Sequence, residues 1–546
     1  MGIKQFFTWF RNNFPNRITN FAKTNYPLIQ IDNFMIDLNG VFHNSAQKVF
    51  EYGNFAKPTS LLRPKKVITD PERLYKTCFE DICKTIDELV AITRPTRRLV
   101  LAIDGVAPLS KQNQQRQRRY RGIVENPTLP YGAFDPNCIT PGTKFMDSLS
   151  KYIDWHIRKN INDGTWKFEV VFSNEKCPGE GEHKLINYIR KFGTPSETYC
   201  INALDADLFM LSLGTHMPKF YLLREDLYDP NYDYMYVGIG DVKADLVKLM
   251  KWSDDCDPNR LVDDFILICF LCGNDFLPNI PSISIMENGL DMIIDFYKTN
   301  KSYLVVDSKI NLDAFKSFLQ LISNSEKDMM IRRINNKSAY IEDTILSKFT
   351  ENNFAMNEYQ ESYNARHFTD VERDAHSYIE GCHWVLSYYL KGISNWEWMY
   401  SNSYSLFASD LVKYISTFQK ADEKPTGPLL PFQQLLCVLP PKSFKFIPKP
   451  LDNLYLEFPE FYPDKFKINY EGKKKKWEGV VELPQIDVDR IKSKSEKLLK
   501  NVSEDDSARN IVSIPVIYVD GEFISDFRSV FGTIKKSRVS TEDLIF

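Results

Sequence analysis

Residues 98–121, RLVLAIDGVAPLSKQNQQRQRRYR, carry an apolar run, an aspartate at its end, a short turn and then a strongly basic stretch. The apolar run RLVLAI has the length and β-branched content of a buried strand. Lys111, Gln115, Arg118 and Arg119 stand at i, i+4, i+7 and i+8, so a helix over the basic stretch projects all four from one face. A strand that ends in an acid and feeds a helix is the unit of an open α/β sheet, whose ligands gather at the carboxyl ends of the strands.

The same unit recurs on both sides. FMIDLNG (34–40), FEVVFS (168–173) and TYCINALDADL (198–208) are further apolar runs separated by amphipathic stretches, an alternation that continues to about Asn300. It predicts a mainly parallel twisted sheet flanked by helices. Asp37, Asp104 and Asp205 fall at the ends of these runs, and Glu180 and Glu182 in PGEGEH, Asp207 in ALDADL and Asp275 in CGNDFLP add four more acids beside apolar sequence. Buried carboxylates without cationic partners are costly. Taken singly, Asp104 or Asp275 reads as a turn former. Gathered at one sheet edge, the seven predict a site for hard divalent cations, since an all-oxygen donor set selects Mg2+ or Mn2+. Two such ions form the clamp used for phosphodiester hydrolysis. Asp205 and Asp207, spaced i, i+2 on an extended strand end, are expected to point the same way, and the glycines of PGEGEH to allow close approach.

The chain has 546 residues with 69 Lys and Arg against 72 Asp and Glu, a formal net charge of -3. That excludes a protein holding nucleic acid by global charge, so a polyanion site must be local. Arg94–Arg121 supplies the patch, with Arg or Lys at 94, 97, 98, 111, 116, 118, 119 and 121 and Asp104 as its one acid. Such runs are usually solvated helix faces; the lack of interleaved acids and the adjacent Asp104 favour a phosphate site. The scattered cysteines lack the paired spacing of a zinc site and read as buried free thiols in a reducing, intracellular compartment, with the cytoplasm favoured over the nucleus. No apolar stretch reaches bilayer length, and the N-terminus MGIKQFFTWF resembles neither a signal peptide nor a myristoylation signal.

Beyond the α/β region, periodicity weakens over 324–371, which reads as a connecting segment. YIEGCHWVLSYYLKG (378–392) then opens a second, helical and loop-rich block over 372–510 that supports another domain. In the tail, 511–546, SIPVIYVDGEFI reads as strand, turn and strand with no function assigned. Lys473–Lys476 form a lysine run that reads as a turn bearing solvated lysines rather than a localisation signal.

Nine strings, in order, carry a family resemblance: MGIKQFFTWF, MIDLNGVFH, AIDGVAPLSKQNQQRQRRYR, CITPGTKFMDSLSKYI, CPGEGEHKLINYIR, ALDADLFMLSLGTH, LCGNDFLPNIP, YIEGCHWVLSYYLKGISNWEWMY and FYPDKFKINYEGKKKKWEGVVELPQID. They resemble the XRN family of 5′→3′ exoribonucleases, relatives of flap endonucleases and PIN-like nucleases. The resemblance implies an N-terminal nuclease domain over 1–323 and metal binding by Asp37, Asp104, Glu180, Glu182, Asp205, Asp207 and Asp275. It implies a 5′-monophosphate pocket at Lys111, Gln115, Arg118 and Arg119, and base stacking on His43 and Trp384. Trp384 also fits a core position on its periodic helix, and Trp396 and Trp398 are substitutes. Leu109 and Gln112 depart from the family pattern, which leaves the pocket's surroundings less basic. The activity implied is two-metal hydrolysis of 5′-monophosphorylated single-stranded RNA to 5′-mononucleotides by a monomer, in a channel lined by the N-terminal segment and the second block. The alternatives are a structure-specific flap endonuclease on DNA, which normally carries a helix-hairpin-helix module after its core, and a non-catalytic RNA-binding protein.

Overall fold

The computed structural model describes residues 2–55, 70–125, 134–202, 205–226, 229–349, 354–420 and 426–545. Its centre is a nine-stranded sheet. The strands are β1 (Ile18–Phe21), β2 (Asn33–Asp37), β3 (Arg98–Ala102), β4 (Glu169–Ser173), β5 (Tyr199–Asn202), β6 (Phe220–Glu225), β7 (Tyr234–Gly238), β8 (Val516–Ser529) and β9 (Gly532–Asp543). They run in the order β1-β7-β6-β5-β2-β3-β4-β8-β9. The middle five, β6-β5-β2-β3-β4, are parallel, and antiparallel strands extend both edges.

Alternation on the central strands builds two cores. Phe34, Ile36, Leu99 and Leu101 face one side, packing with residues of α2 (Leu38–Phe50), α3 (Tyr75–Thr93) and α5 (Lys144–Asn162). Met35, Val100 and Ala102 face the other, packing with α1 (Phe6–Asn13), α6 (Gly181–Phe192), α7 (Asp207–Leu213) and the helix Pro258–Phe270. A buried parallel strand has to be apolar on both faces, which is why these runs read as continuous hydrophobic stretches. The basic stretch is the helix α4 (Leu109–Glu125), as its spacing predicts.

The second block does not form a core of its own throughout. The helix Val371–Leu390 joins the same apolar cluster as α1 and α6, and a separate cluster around Phe432, Leu436 and Phe461 packs on Val106. Two arginines of the basic patch tie it down: Arg116 donates to the carbonyls of Pro484 and Phe461, and Arg121 to those of Trp477 and Gly479.

Three expectations are corrected. The weak periodicity after Asn324 does not end the secondary structure: one helix runs Leu312–Asn335, because Glu326 is buried as a partner for the backbone N–H groups of Ala408 and Ser409 and breaks the apolar pattern without breaking the helix. In the tail, the chain does not turn at Asp520–Gly521 but continues to Ser529 before pairing back on itself. Val516–Tyr518 of this hairpin lie against Phe172–Val170 of β4, so the tail covers an edge of the central sheet. Half of the lysine run is docked, while Lys475 and Lys476 are exposed as expected: Lys474 pairs with Glu287 at 2.8 Å, and Lys473 lies over the Tyr404 ring with its pKa pushed down to about 7 by burial and by Lys4. All ten cysteines are free thiols, and no described helix is long and apolar enough to cross a membrane.

Candidate active site

Four adjacent strands, β5-β2-β3-β4, deliver six of the seven acids to one edge. Asp37 is the last residue of β2 and the N-cap of α2, accepting from the Asn39 N–H at 3.2 Å. Asp104 follows β3, and its Oδ1 accepts from the Gly181 N–H at 2.7 Å. Glu180 is the N-cap residue of α6 and Glu182 lies in its first turn, just beyond β4. Asp275 lies in the loop after the helix Pro258–Phe270. Ala203 and Leu204 are outside the described residues, and beyond them Asp205 and Asp207 are not on an extended strand: Ala206 is already helical and Asp207 begins α7. A helical turn replaces the expected extended i, i+2 geometry, yet both carboxylates lie close enough to Glu182 to raise its pKa.

Two glycines are required by the crowding of these acids. A Cβ on Gly181 would lie 2.5 Å from Asp37 Oδ1 and 3.4 Å from Asp104 Oδ1, which shows how near those carboxylates come. A Cβ on Gly2, whose φ is +63°, would fall 1.1 Å from Asp207 Oδ1. The Gly2 N–H donates to Asp275 Oδ1 at 3.1 Å, so the start of the chain is part of the site. Sequence reasoning missed this role, since nothing in MGIK marks a contact with residues more than two hundred positions away. Changing Gly2 to Ala is expected to displace Asp207 and Asp275 and to lower turnover at least about tenfold, equivalent to about 1.4 kcal/mol. A comparison of rates with the wild type at equal folded concentration checks it.

The electrostatics follow from packing like charges in a partly dry place. Burial, then Asp104, Asp205 and Glu180, hold Asp37 well above the carboxylate range, and burial with Asp207 does the same for Glu182. Asp207 is pushed up to about 7 by burial and by Asp275. Burial works against Asp275 as the largest influence, but the Lys111 charge and hydrogen bond together with the Gly2 N–H and nearby positive charge keep that carboxyl below its ordinary value. Lys111 is the cation inside the cluster, 2.6 Å from Glu180 Oε2 and 2.8 Å from Asp275 Oδ2. Among the described residues no three Asp, Glu, His or Cys side chains already enclose a metal-sized point. Glu182 Oε2 and Asp207 Oδ1 are nevertheless buried without a hydrogen-bond partner, and unsatisfied carboxylate oxygens in an all-oxygen donor set suit hard divalent cations.

All four residues of the α4 face line a 480 Å³ cavity with Asp37, Asp104, Glu180, Glu182, Asp205 and His43. Within it Gln115 Oε1 and Arg119 Nη1 are buried and unpartnered. Burial and the neighbouring Arg118 push Arg119 down to about 9. His43 on α2 is pushed down to about 4 by burial and then by Arg118 and Arg119, so its ring is neutral at ordinary pH. A second cavity, of 520 Å³, adjoins the first at Arg118 and Asp205 and is lined by Gly2–Gln5, Asp275, Lys473 and Trp477.

Trp384 is corrected. It is 1% exposed, donates from Nε1 to the Asn395 carbonyl at 2.8 Å and stacks on Trp398 with 4.8 Å between centroids. It is a core residue and cannot reach a base. Trp398 is its packing partner, and Trp396 lines neither cavity. Changing Trp384 to Ala is expected to cost about 3–5 kcal/mol of stability, read by denaturant unfolding. The two departures near the pocket are structural: Gln112 is buried and donates to the Ala107 carbonyl, and the Leu109 N–H donates to the carbonyl of Trp396.

Comparison with known proteins gives the following similarities. The family model described as the XRN 5′-3′ exonuclease N-terminus matches residues 1–226, and that described as the Xrn1 helical domain matches 255–374 and 352–542. The chain is 27% identical to 5′-3′ exoribonuclease 2 of Gallus gallus, over 95% of this chain and 72% of that protein. It is 27% identical to 5′-3′ exoribonuclease 1 of Schizosaccharomyces pombe, over 96% of this chain and 51% of that one, so it spans about half the length of that relative. Among solved structures, the catalytic core of Rad2 in complex with a DNA substrate aligns over 80% of this chain and 99% of that chain at 12% identity with a TM-score of 0.34.

Proposed function

This chain belongs to the XRN 5′-3′ exonuclease family, and from that premise we propose that it is a 5′→3′ exoribonuclease that takes single-stranded RNA by a 5′-monophosphate and releases 5′-mononucleotides. The observation that carries the reading is that the cationic face of α4 and five of the acids, Asp37, Asp104, Glu180, Glu182 and Asp205, line one cavity.

Arg118, Arg119 and Gln115 hold the terminal phosphate, with Lys111 bridging from them to the carboxylates. Arginine forks match phosphate oxygens, and the unpartnered Arg119 Nη1 is a donor that a phosphate would satisfy. Anchoring the end fixes the register, so that the phosphodiester one nucleotide inward falls beside the acids. Asp37, Asp104, Glu180, Glu182, Asp205, Asp207 and Asp275 would hold two Mg2+ or Mn2+ ions. Such a pair activates water and neutralises charge on the leaving oxygen. An end bearing a hydroxyl lacks the charge to engage the arginines, and a capped or triphosphate end is too bulky for the pocket.

His43 lies in the same cavity as the arginines and offers a neutral ring to the terminal base. Stacking tolerates every base and contributes about 1–3 kcal/mol per base. Changing His43 to Ala is therefore expected to weaken RNA binding by roughly tenfold, and His43→Phe to restore it. Because the fold favours the neutral imidazole, the contribution of His43 to stability is complete above its ordinary pKa of 6.5 and is lost as pH falls toward about 4. The Phe variant removes that loss, which melting curves across this window would reveal. The decisive experiment for the activity is incubation of one RNA in 5′-phosphate and 5′-hydroxyl forms with Mg2+. Mononucleotides released from the phosphate form support the reading; internal cleavage or no cleavage ends it.

A further inference from the structure

Two consecutive tyrosines of the second block reach the acid cluster. Tyr388 and Tyr389 sit near the end of the helix Val371–Leu390, and adjacent positions on a helix diverge by about a quarter turn. The Tyr388 hydroxyl donates to Glu180 Oε1 at 2.8 Å, and the Tyr389 hydroxyl to Asp207 Oδ2 at 3.1 Å. Both rings also grip His183, in the first turn of α6 between the two glutamates and the rest of that helix. Tyr388 stacks flat on it with centroids 3.6 Å apart and planes 1° from parallel, and Tyr389 meets it edge-on at 5.7 Å.

We propose that Tyr388 and Tyr389 are positioning residues that orient Glu180 and Asp207 for divalent cations, so that the sheet-edge acids are competent only with the helix Val371–Leu390 docked on them. The inference rests on the metal-binding reading above. A phenylalanine pair would fill the same space and pack on His183 equally well, so packing alone does not account for two buried hydroxyls that each end on a carboxylate of the cluster. The kind of donor also matters. A lysine or arginine would fix a carboxylate but cancel its charge, as Lys111 partly does for Glu180 and Asp275. A phenol is a neutral donor: it locks the rotamer of a long side chain and leaves the negative charge for a cation. Partners of this kind behind metal ligands typically govern affinity by 10–100-fold.

The test uses the full chain stripped of metal with EDTA and titrated with Mn2+ in the absence of RNA, free Mn2+ being followed by electron paramagnetic resonance. Wild type, Asp37→Ala, Tyr388→Phe, Tyr389→Phe and the double tyrosine variant are compared, each with a melting curve in EDTA. Each single variant is expected to bind Mn2+ about tenfold more weakly and the double variant more weakly still, with melting temperatures unchanged and with RNA turnover recovered at high metal concentration. Mn2+ binding by the double variant equal to wild type overturns the inference, as does a loss of binding in all three variants that only follows a fall in melting temperature. Wild type binding Mn2+ no better than Asp37→Ala instead overturns the metal-binding reading itself, and this inference with it.

Discussion

Changing Asp37 to Asn is expected to lower turnover by about three orders of magnitude or more, the several kcal/mol that a lost metal contact removes from transition-state stabilisation, while the fold survives. Asp37 ends the central strand β2, and its Oδ1 lies 2.5 Å from where a Cβ on Gly181 would be, beside Asp104. Asparagine keeps the shape and still caps α2 through the Asn39 N–H, since Asn and Asp serve that position equally well. What it removes is one negative charge from a group of acids that raise one another's pKa. The folded state holds Asp37 well above its ordinary 3.8, first by burial and then by Asp104. Its contribution to stability is therefore complete below 3.8 and is lost as pH rises through the folded value. In EDTA the Asn variant should thus melt higher than wild type, by a margin that grows with pH. Turnover assayed at saturating Mg2+ together with melting curves at several pH values separates lost chemistry from lost folding. Retained turnover would contradict the assignment of Asp37.

Removing Arg118 is expected to act on the other side of the cavity and on one substrate only. Its guanidinium is exposed and next to Arg119, whose charge it disfavours, so Arg118→Ala costs the fold little. A charge-assisted hydrogen bond to phosphate is worth about 1.5–3 kcal/mol, so kcat/KM for 5′-phosphorylated RNA should fall roughly 10–100-fold. The same RNA with a 5′-hydroxyl makes no such bond and should be cleaved at its original slow rate, so the preference between ends collapses. An equal fall for both ends would mean that Arg118 serves the body of the strand rather than its terminus.

The features legible in the sequence are those confined to one element. The α4 face could be read because Lys111, Gln115, Arg118 and Arg119 obey a helical period within one segment, and their side chains do reach a common cavity. The acids could be read because each closes or follows an apolar run, and parallel strands bring their carboxyl ends to one edge. The conformation between Asp205 and Asp207 could not be, because a helix start and a strand end use the same residue types there. Trp384 was ambiguous for a related reason: a periodic aromatic helix buries one face, and the spacing does not say whether its tryptophan meets a base or Trp398.

Local patterning alone thus determined the parallel sheet, the acids at its strand ends and the cationic helix face, since hydrophobic period and charge spacing are properties of neighbouring residues. Tertiary structure alone decided that Gly2 fills the space against Asp207, that Tyr388 and Tyr389 hold two of the acids, and that the C-terminal hairpin extends the sheet beyond β4. Each of these joins residues more than a hundred positions apart, and such contacts are set by how packed elements meet in space, which no local spacing encodes.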